Sequence, residues 1–551
     1  MAKKPKRKRN AQAEQNRARF RYWPQLAVLL IIVFFAIIRF RLLDMPLERD
    51  EGEYAYAGQL ILQGIPPYQL AYNMKLPGTY AAYALILGLF GQTPAGVHAG
   101  LLLVNAATTF LVFLLAARLF GPWAGVVPTA SYALLSTSPS VLGFAGHATH
   151  FVALAAVAGT LLLLIAIDSE KPWLYFSAGL LVGLAFVMKQ PGVFFVFFAG
   201  FYFVFSEWKR SHHSQRIDWE GLLARGGMLG FGAVLPFALT CFIMWRAGVF
   251  SKFWFWTFSY AREYGSAVGL SQGVQIFLGA FPPIVGPALF VWLIAGVGLS
   301  AIWWDREIRA RGIFLAGFLL FSFLAVCPGF YFREHYFIVM LPAVSILAGV
   351  AVATATRKLQ QAGRMRLRFL PVLLFAIAFA YPLVAQDDFL FQMDPVTACR
   401  SLYAPNPFPE ALRIADYIKA HTSPEARIAV LGSEPEIYFY ARRHSATGYI
   451  YVYPLMEPQK YAPTMQQEMI SQIQAAQPEF IVFVDVDLSW MVRRSSVTQI
   501  LTWGEKYLED KYQLDGIVDI LPETVYRWGP EAQAYQPTSQ FTVKVFKLKS
   551  R

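Results

Sequence analysis

The sequence predicts an α-helical polytopic membrane protein of about 11 transmembrane helices with a C-terminal extramembrane α/β domain. Three observations predict it. The 551 residues are 56% hydrophobic and 16% aromatic but only 15% charged. Apolar runs of about 20 residues, the length that crosses a bilayer, recur along the first two thirds of the chain. After about Asp387 the charged residues return and the apolar runs shrink to strand length, as in RIAVLG, FIVFVDV and FTVKVFKL.

Charge fits the same class. The net charge of +13 invites a nucleic-acid reading, but much of the excess lies in an N-terminal tail and in short loops between apolar spans. That placement is the orientation bias of membrane proteins, so no nucleic-acid partner is expected. Residues 1–22 hold nine Lys or Arg against one acid, Glu14, and read as a basic cytoplasmic tail. The three cysteines form no CxxC pair, which removes a disulfide framework and a thiolate zinc site.

The first span starts at Trp23 and lacks a small-residue cleavage site, so it reads as an uncleaved anchor. A loop over 44–95 follows on the opposite side. Its part from Glu48 to Gln63 has helical character, Pro66-Pro67 breaks it, and Pro77 to Phe90 is apolar but short. Both parts are expected as helices lying at the membrane surface. Further spans are expected at roughly 96–117, 123–140, 148–167, 173–188, 191–206, 224–245, 274–304, 312–327, 336–355 and 369–386. Arg118, Lys171, Lys209-Arg210, Arg306 to Arg311 and Arg357 to Arg368 then fall on the side of the basic tail. The 44–95 loop and the C-terminal domain, 387–551, fall on the other side, periplasmic or extracellular. Gly179 and Gly183 have the spacing of close helix packing. Pro282-Pro283 and Pro287 predict a kink. Asp485 and Asp487 form a DxD that reads as a strand-end turn, and no glycine-rich phosphate loop is present.

The functional residues gather on the outer side. Burying a charge at mid-bilayer costs about 2.5–3.5 kcal/mol, so the acids of RDEGEY must leave the hydrocarbon or line a polar cavity. On a helix, Asp50, Glu53 and Tyr54 share a face while Glu51 points about 100° away. A solvated surface helix is the plainer alternative for these acids. Lys75 in NMKLPG and Lys189 in VMKQPG are lone cations at the outer ends of apolar segments. Each suits an anionic phosphate, or else snorkels to lipid headgroups. Arg333 and His335 in GFYFREHYF suit a phosphate as well, and Tyr331 and Tyr336 a sugar ring; an aromatic belt with an Arg–Glu pair is the alternative. His147 and His150 share a helix face as substrate contacts, and with no third ligand fixed by spacing they make weak metal ligands. The aromatic loop Arg246–Gly269 reads as an interfacial loop carrying some acceptor contacts, with a lid over the site as the alternative.

The stretch RDEGEYAYAGQLILQGIPPYQLAYNMKLPG resembles the first outer loop of bacterial GT-C glycosyltransferases of the family 39 type. These are similar to protein O-mannosyltransferases and lipid A aminoarabinose transferases. GLAFVMKQPGVF and FREHYFIVMLPA match further segments, and the resemblance covers about residues 20–390. It implies a multi-span enzyme using a polyprenyl-phosphate-linked sugar at the outer face, usually with inversion. By position Asp50 resembles the catalytic aspartate with Glu51 beside it, and Lys75 and Lys189 the lysines near the donor phosphate. Met74 stands where relatives often carry an acidic or histidine side chain, and His150 where many carry an acid; both departures speak against a metal site.

The expected function is transfer of a sugar from a polyprenyl phosphate to a hydroxyl of an envelope glycan, lipid or protein, at the outer face of the cytoplasmic membrane. Asp50 and Glu51 are the catalytic candidates. Lys75, Lys189, Arg333 and His335 are candidates for the phosphate, and Tyr54, His147, His150, Tyr331 and Tyr336 for substrate. No cofactor is certain from this reading; a divalent metal is an open alternative that the sequence does not support. The rival classes are a flippase of a lipid-linked glycan, with charges along a two-sided path, and a non-catalytic envelope-assembly subunit.

Overall fold

The computed structural model describes residues 22–215 and 218–549. The basic tail, apart from Tyr22, lies outside the described residues. The first helix, α1 (Trp23–Arg41), is followed by α2 (Arg49–Leu62), α3 (Gly78–Phe90), α4 (Pro94–Phe120) and α5 (Val126–Ser136). Next come α6 (Ala148–Ser169), α7 (Pro172–Met188), α8 (Val193–Ser214) and α9 (Trp219–Arg246). The helical part closes with α10 (Leu270–Val285), α11 (Leu289–Trp304), α12 (Gly312–Leu324), α13 (Leu341–Gln361) and α14 (Leu370–Ala385).

Among the described residues eight helical stretches are long and apolar enough to cross a membrane. Three of the expected spans are shorter. Helices α7 and α12 have 17 and 13 residues. The span expected over 123–140 contains only the 11 residues of α5, because 3-10 turns at Pro122–Gly125 and Pro139–Val141 cut it at both ends. The α13 stretch, 89% buried, is the axis of the bundle, whereas α1, α9 and α14 keep Leu30, Phe242 and Ile377 exposed, as lipid-facing helices do. A Cβ at Gly179 or Gly183 would lie 2.1 Å from the Leu229 carbonyl oxygen or 2.3 Å from that of Ala233, so these glycines seat α7 against α9. The prolines break the expected 274–304 span into α10 and α11 through the turn Gly286–Ala288.

The C-terminal domain is a six-stranded sheet in the order β2-β1-β3-β6-β4-β5, flanked by helices. Its strands are β1 (Arg427–Leu431), β2 (His444–Ser445), β3 (Phe480–Asp485), β4 (Tyr512–Asp519), β5 (Val525–Trp528) and β6 (Thr542–Leu548). Strand β1 pairs in parallel with β2 and β3, and β6 joins β3 to β4 antiparallel. The near-continuous burial of β1 and β3 is that of strands covered on both faces. Asp485 ends β3 and pairs with Lys544 at 3.2 Å, so the DxD is a strand-end turn.

Helix α2 departs from expectation. It does not lie on a surface: most of its residues are buried between α3 and the C-terminal domain. Two glycines permit this. A Cβ at Gly52 would lie 2.6 Å from the Glu436 backbone nitrogen, and one at Gly58 2.9 Å from that of Ala84. Arg49 then donates to the Ser433 carbonyl at 2.6 Å, to Asn406 at 2.8 Å and to Glu434 at 3.1 Å. Tyr56 accepts from the Ser445 N–H at 2.8 Å, and the Leu47 N–H donates to Tyr440 at 2.9 Å. The sequence pattern of α2 is polar on several sides because its partners are polar on several sides.

Candidate active site

Helix α2 begins with a reciprocal cap. The Glu48 carboxylate accepts the Glu51 N–H at 3.0 Å and the Glu51 carboxylate accepts the Glu48 N–H at 3.3 Å. The cap fixes Asp50 at the rim of a cavity of about 190 Å³. Asp50, Tyr54, Lys75, Lys189, Arg333, His335 and Tyr336 all line this cavity, so side chains nearly 300 positions apart in the chain meet in one place.

The two lysine loops are stitched to each other. A Cβ at Gly78 would lie 2.5 Å from the Val187 carbonyl oxygen, so only glycine lets the KLPG turn reach the end of α7. Thr79 donates to the Met188 carbonyl at 2.8 Å, and Gln190 donates to the Met74 carbonyl at 2.6 Å. These bonds place Lys75 and Lys189 on adjoining walls.

Their surroundings differ. Lys75 donates to Asp50 at 2.7 Å and to Glu53 at 2.9 Å. Glu53 also accepts from Asn73 at 2.7 Å and from the Tyr80 hydroxyl at 2.5 Å. Burial opposes charge on Lys75, but Asp50 and Glu53 hold its ammonium well above the usual lysine range. Burial likewise works to raise the Asp50 carboxyl, yet Lys75, His147 and His335 hold it well below the carboxylate range. Glu48 is pushed up to about 7 by burial and by Asp50. Lys189 has no carboxylate within ion-pair distance among the described residues; its ammonium lies 4.1 Å from the centroid of Tyr336. Burial, with repulsion from Lys75 and Arg333, brings it down to about 7 against the pull of Asp50.

The other expected residues have distinct places. Glu51 turns away from the cavity, fully buried, and accepts the Gly146 N–H at 2.6 Å while lying 3.1 Å from His98. It braces the start of α6 against α2. His147 lies behind the cavity wall, 3.8 Å from Asp50 and 3.7 Å from Glu48, and its ring stacks on His335 at 4.0 Å. His150 is buried away from the cavity. Tyr331 backs the lining, stacked on Tyr264 at 4.5 Å. Asp50, His147 and His335 each present a ligand atom within 4.8 Å of the others, so this trio could hold a metal ion.

Sequence reasoning missed several lining groups. Tyr260 and Tyr264 come from the aromatic loop expected at the interface, where a π-helical turn over Phe255–Tyr260 aims them inward. Tyr451, Tyr453 and Glu457 come from the C-terminal domain. The alternation of tyrosine with apolar residues in GYIYVYP was the available signal.

Over residues 75–229 the chain matches the family described as dolichyl-phosphate-mannose-protein mannosyltransferase. ArnT from Cupriavidus metallidurans in the apo state superposes with a TM-score of 0.59, at 15% identity, over 94% of this chain and 97% of that one. The chain has the ArnT fold. ArnT from the same organism bound to undecaprenyl phosphate gives 0.58 at 15% identity, covering 94% and 97% of the two chains. The oligosaccharyltransferase AglB of Archaeoglobus fulgidus, in complex with an inhibitory peptide and a dolichol-phosphate, gives 0.51 at 13% identity, covering 93% and 75%. No curated protein matches the chain in sequence. The structural likeness covers 93–94% of the chain and so takes in both membrane helices and C-terminal domain.

Proposed function

We propose that the chain is a glycosyltransferase of the cytoplasmic membrane. It moves one sugar, a hexose or pentose, from a polyprenyl phosphate to a hydroxyl of an envelope glycan, lipid or protein at the outer face. The observation that carries the reading is the convergence of Asp50 with three cations, Lys75, Lys189 and Arg333, in one cavity whose walls include the apolar Met188, Ala325 and Val326. A leaving lipid phosphate needs cations where its charge develops, and an attacking hydroxyl needs a carboxylate within reach. The match to dolichyl-phosphate-mannose-protein mannosyltransferases and the ArnT fold support the same chemistry.

In this reading the acceptor oxygen attacks the anomeric carbon as the carbon–oxygen bond to phosphate breaks. The bonding pair leaves on the phosphate oxygen, whose charge Lys189 and Arg333 stabilise. Asp50 receives the acceptor proton. Because Lys75 keeps Asp50 ionised and only weakly basic, the proton moves late, after positive charge has grown on the acceptor oxygen. A single displacement inverts the anomeric centre. The phase of the loop cations supports an outer-side location for the cavity and the C-terminal domain. The test is turnover by the purified protein in lipid nanodiscs with a polyprenyl-phosphate sugar and envelope extract as acceptor source. Asp50→Asn is expected to lower kcat by about 10²- to 10⁴-fold; unchanged turnover removes Asp50 from the chemistry.

A further inference from the structure

The C-terminal domain closes one wall of the cavity. Parallel strands β2, β1 and β3 end at the edge of the domain that faces α2, the end where open α/β sheets place their ligands. Arg49 of α2 occupies that crevice, bound to Ser433 and Glu434 just beyond β1. The chain leaving β2 is thereby held against the site: the Tyr72 N–H donates to the Gly448 carbonyl at 2.7 Å. From there the segment alternates. Val452, Leu455 and Met456 are buried in the domain core, while Tyr451, Tyr453 and Glu457 are only half-buried and line the cavity.

These three groups have a definite chemistry. The rings of Tyr451 and Tyr453 lie 4.8 Å apart at 81°, a corner of two aromatic faces. Arg49 braces Tyr453 from behind at 5.1 Å, and Lys75 lies 5.7 Å from Tyr451. Glu457 accepts a hydrogen bond from the Tyr260 hydroxyl, which fixes its carboxylate at the rim, and it keeps further acceptor capacity. Aromatic faces meet the C–H faces of a sugar ring, and a fixed carboxylate takes two vicinal hydroxyls. The membrane-side walls supply the cations and the apolar residues suited to a lipid phosphate. In these three groups the wall built by the extramembrane domain offers two ring faces and a carboxylate, with Arg493 of the same domain close to Glu457 and Tyr331.

We propose that Tyr451, Tyr453 and Glu457 form an acceptor subsite for a neutral, hydroxylated sugar ring, so that the acceptor is a glycan or a glycolipid headgroup. The inference rests on the glycosyltransferase reading for the word acceptor, but its test is binding and needs no turnover. The full-length protein in nanodiscs is probed by saturation-transfer NMR with methyl β-glucopyranoside and methyl α-mannopyranoside, and separately titrated with undecaprenyl phosphate. Saturation transfer to at least one glycoside is expected. Tyr451→Ala and Glu457→Gln should weaken it about tenfold, the worth of a stacked face or a charge-assisted hydrogen bond. Tyr451→Phe keeps the ring and should retain the signal. Undecaprenyl phosphate affinity should change less than twofold in all three variants, and the melting temperature should hold because the side chains are half-exposed. No transfer to either glycoside, equal transfer in Tyr451→Ala, or a parallel loss of undecaprenyl phosphate affinity overturns the subsite. Absence of any sugar transfer by the unmodified protein would instead sink the glycosyltransferase reading and leave the glycoside binding standing.

Discussion

Lys75 and Lys189 sit on adjoining walls of one cavity, on loops bonded to each other, and face opposite electrostatic conditions. Lys75 is clamped between Asp50 and Glu53, with the rings of Tyr54 and Tyr451 beside it. Lys189 meets the face of Tyr336 and the repulsion of two cations, offset only by the pull of an Asp50 already paired with Lys75. The first lysine has its anions already and works by setting Asp50. The second is desolvated and short of an anion, the condition that favours an arriving phosphate. Two sequence positions of the same appearance, each a lone lysine before a proline turn, thus divide into a charge clamp and a receptor.

Removing the clamp gives the largest expected effect. Lys75→Met leaves Glu53, fully buried, and Asp50 without their cation, at a cost of about 3–5 kcal/mol in unfolding free energy. Burial already raises the Glu53 carboxyl, so in the variant protonation relieves the unpaired charge. The deficit in thermal stability should therefore be greatest at high pH and shrink as pH falls. Adding Glu53→Gln should restore most of it. A Lys75→Met protein that melts like the parent but no longer binds undecaprenyl phosphate would reverse the roles given to the two lysines.

Removing the receptor should do the opposite. Lys189→Met replaces a buried, poorly solvated amine with an apolar side chain of similar length, so the melting temperature should hold or rise. Undecaprenyl phosphate affinity should fall about 10- to 100-fold, the worth of a charge-assisted hydrogen bond. Isothermal titration reads both lysines on one scale.

The pH dependence sharpens the contrast further. In the free protein Lys189 carries its proton only below about 7. A polyprenyl-phosphoryl hexose, a phosphodiester, keeps one negative charge across this range. Affinity should be level below about 7 and fall above it, because binding must then also bring a proton to Lys189. The fall ends where the bound lysine itself deprotonates. Lys189→Arg should flatten the curve. A fall that persists in the arginine variant would assign the titration to another group.

Much of this division was beyond the sequence. The gathering of Asp50, Lys75, Lys189, Arg333 and His335 was legible, because apolar run lengths and loop cations set which ends of the spans share a side. The helical period also separated Glu51 from Asp50. What Glu51 does with its separate direction was not legible, since its partners, Gly146 and His98, lie on other helices. The pairing of Lys75 was hidden for the same reason. Strands β1, β3 and β6 showed as apolar runs, whereas β2 is two residues long and has no run to read. The contribution of Tyr451, Tyr453 and Glu457 depends on how the C-terminal domain docks, and docking rests on Gly52 and Arg49, single residues whose partners are some 380 positions away.

The histidines beside Asp50 extend the comparison to a metal, with the smallest expected effect. His147, His335 and Asp50 are close enough to share an ion. The two rings, however, are stacked at 4.0 Å with an interplanar angle of 11°. A metal bonds a ring nitrogen in the plane of that ring, at about 2.0–2.1 Å. With the planes nearly parallel, an ion in one plane lies well outside bonding distance of the other ring's lone pair. Chelation by both therefore needs one ring to rotate and give up its stacking. If the cations of the receptor wall suffice for the leaving phosphate, EDTA or 1,10-phenanthroline should change turnover by less than about twofold, and added Mn²⁺ or Zn²⁺ should not raise it. A large loss on chelation, reversed by one metal and abolished in His335→Gln, would show that the rings do turn. The receptor would then be Lys189 together with an ion, and the Lys189→Met effect on phosphate affinity should shrink when that ion is present.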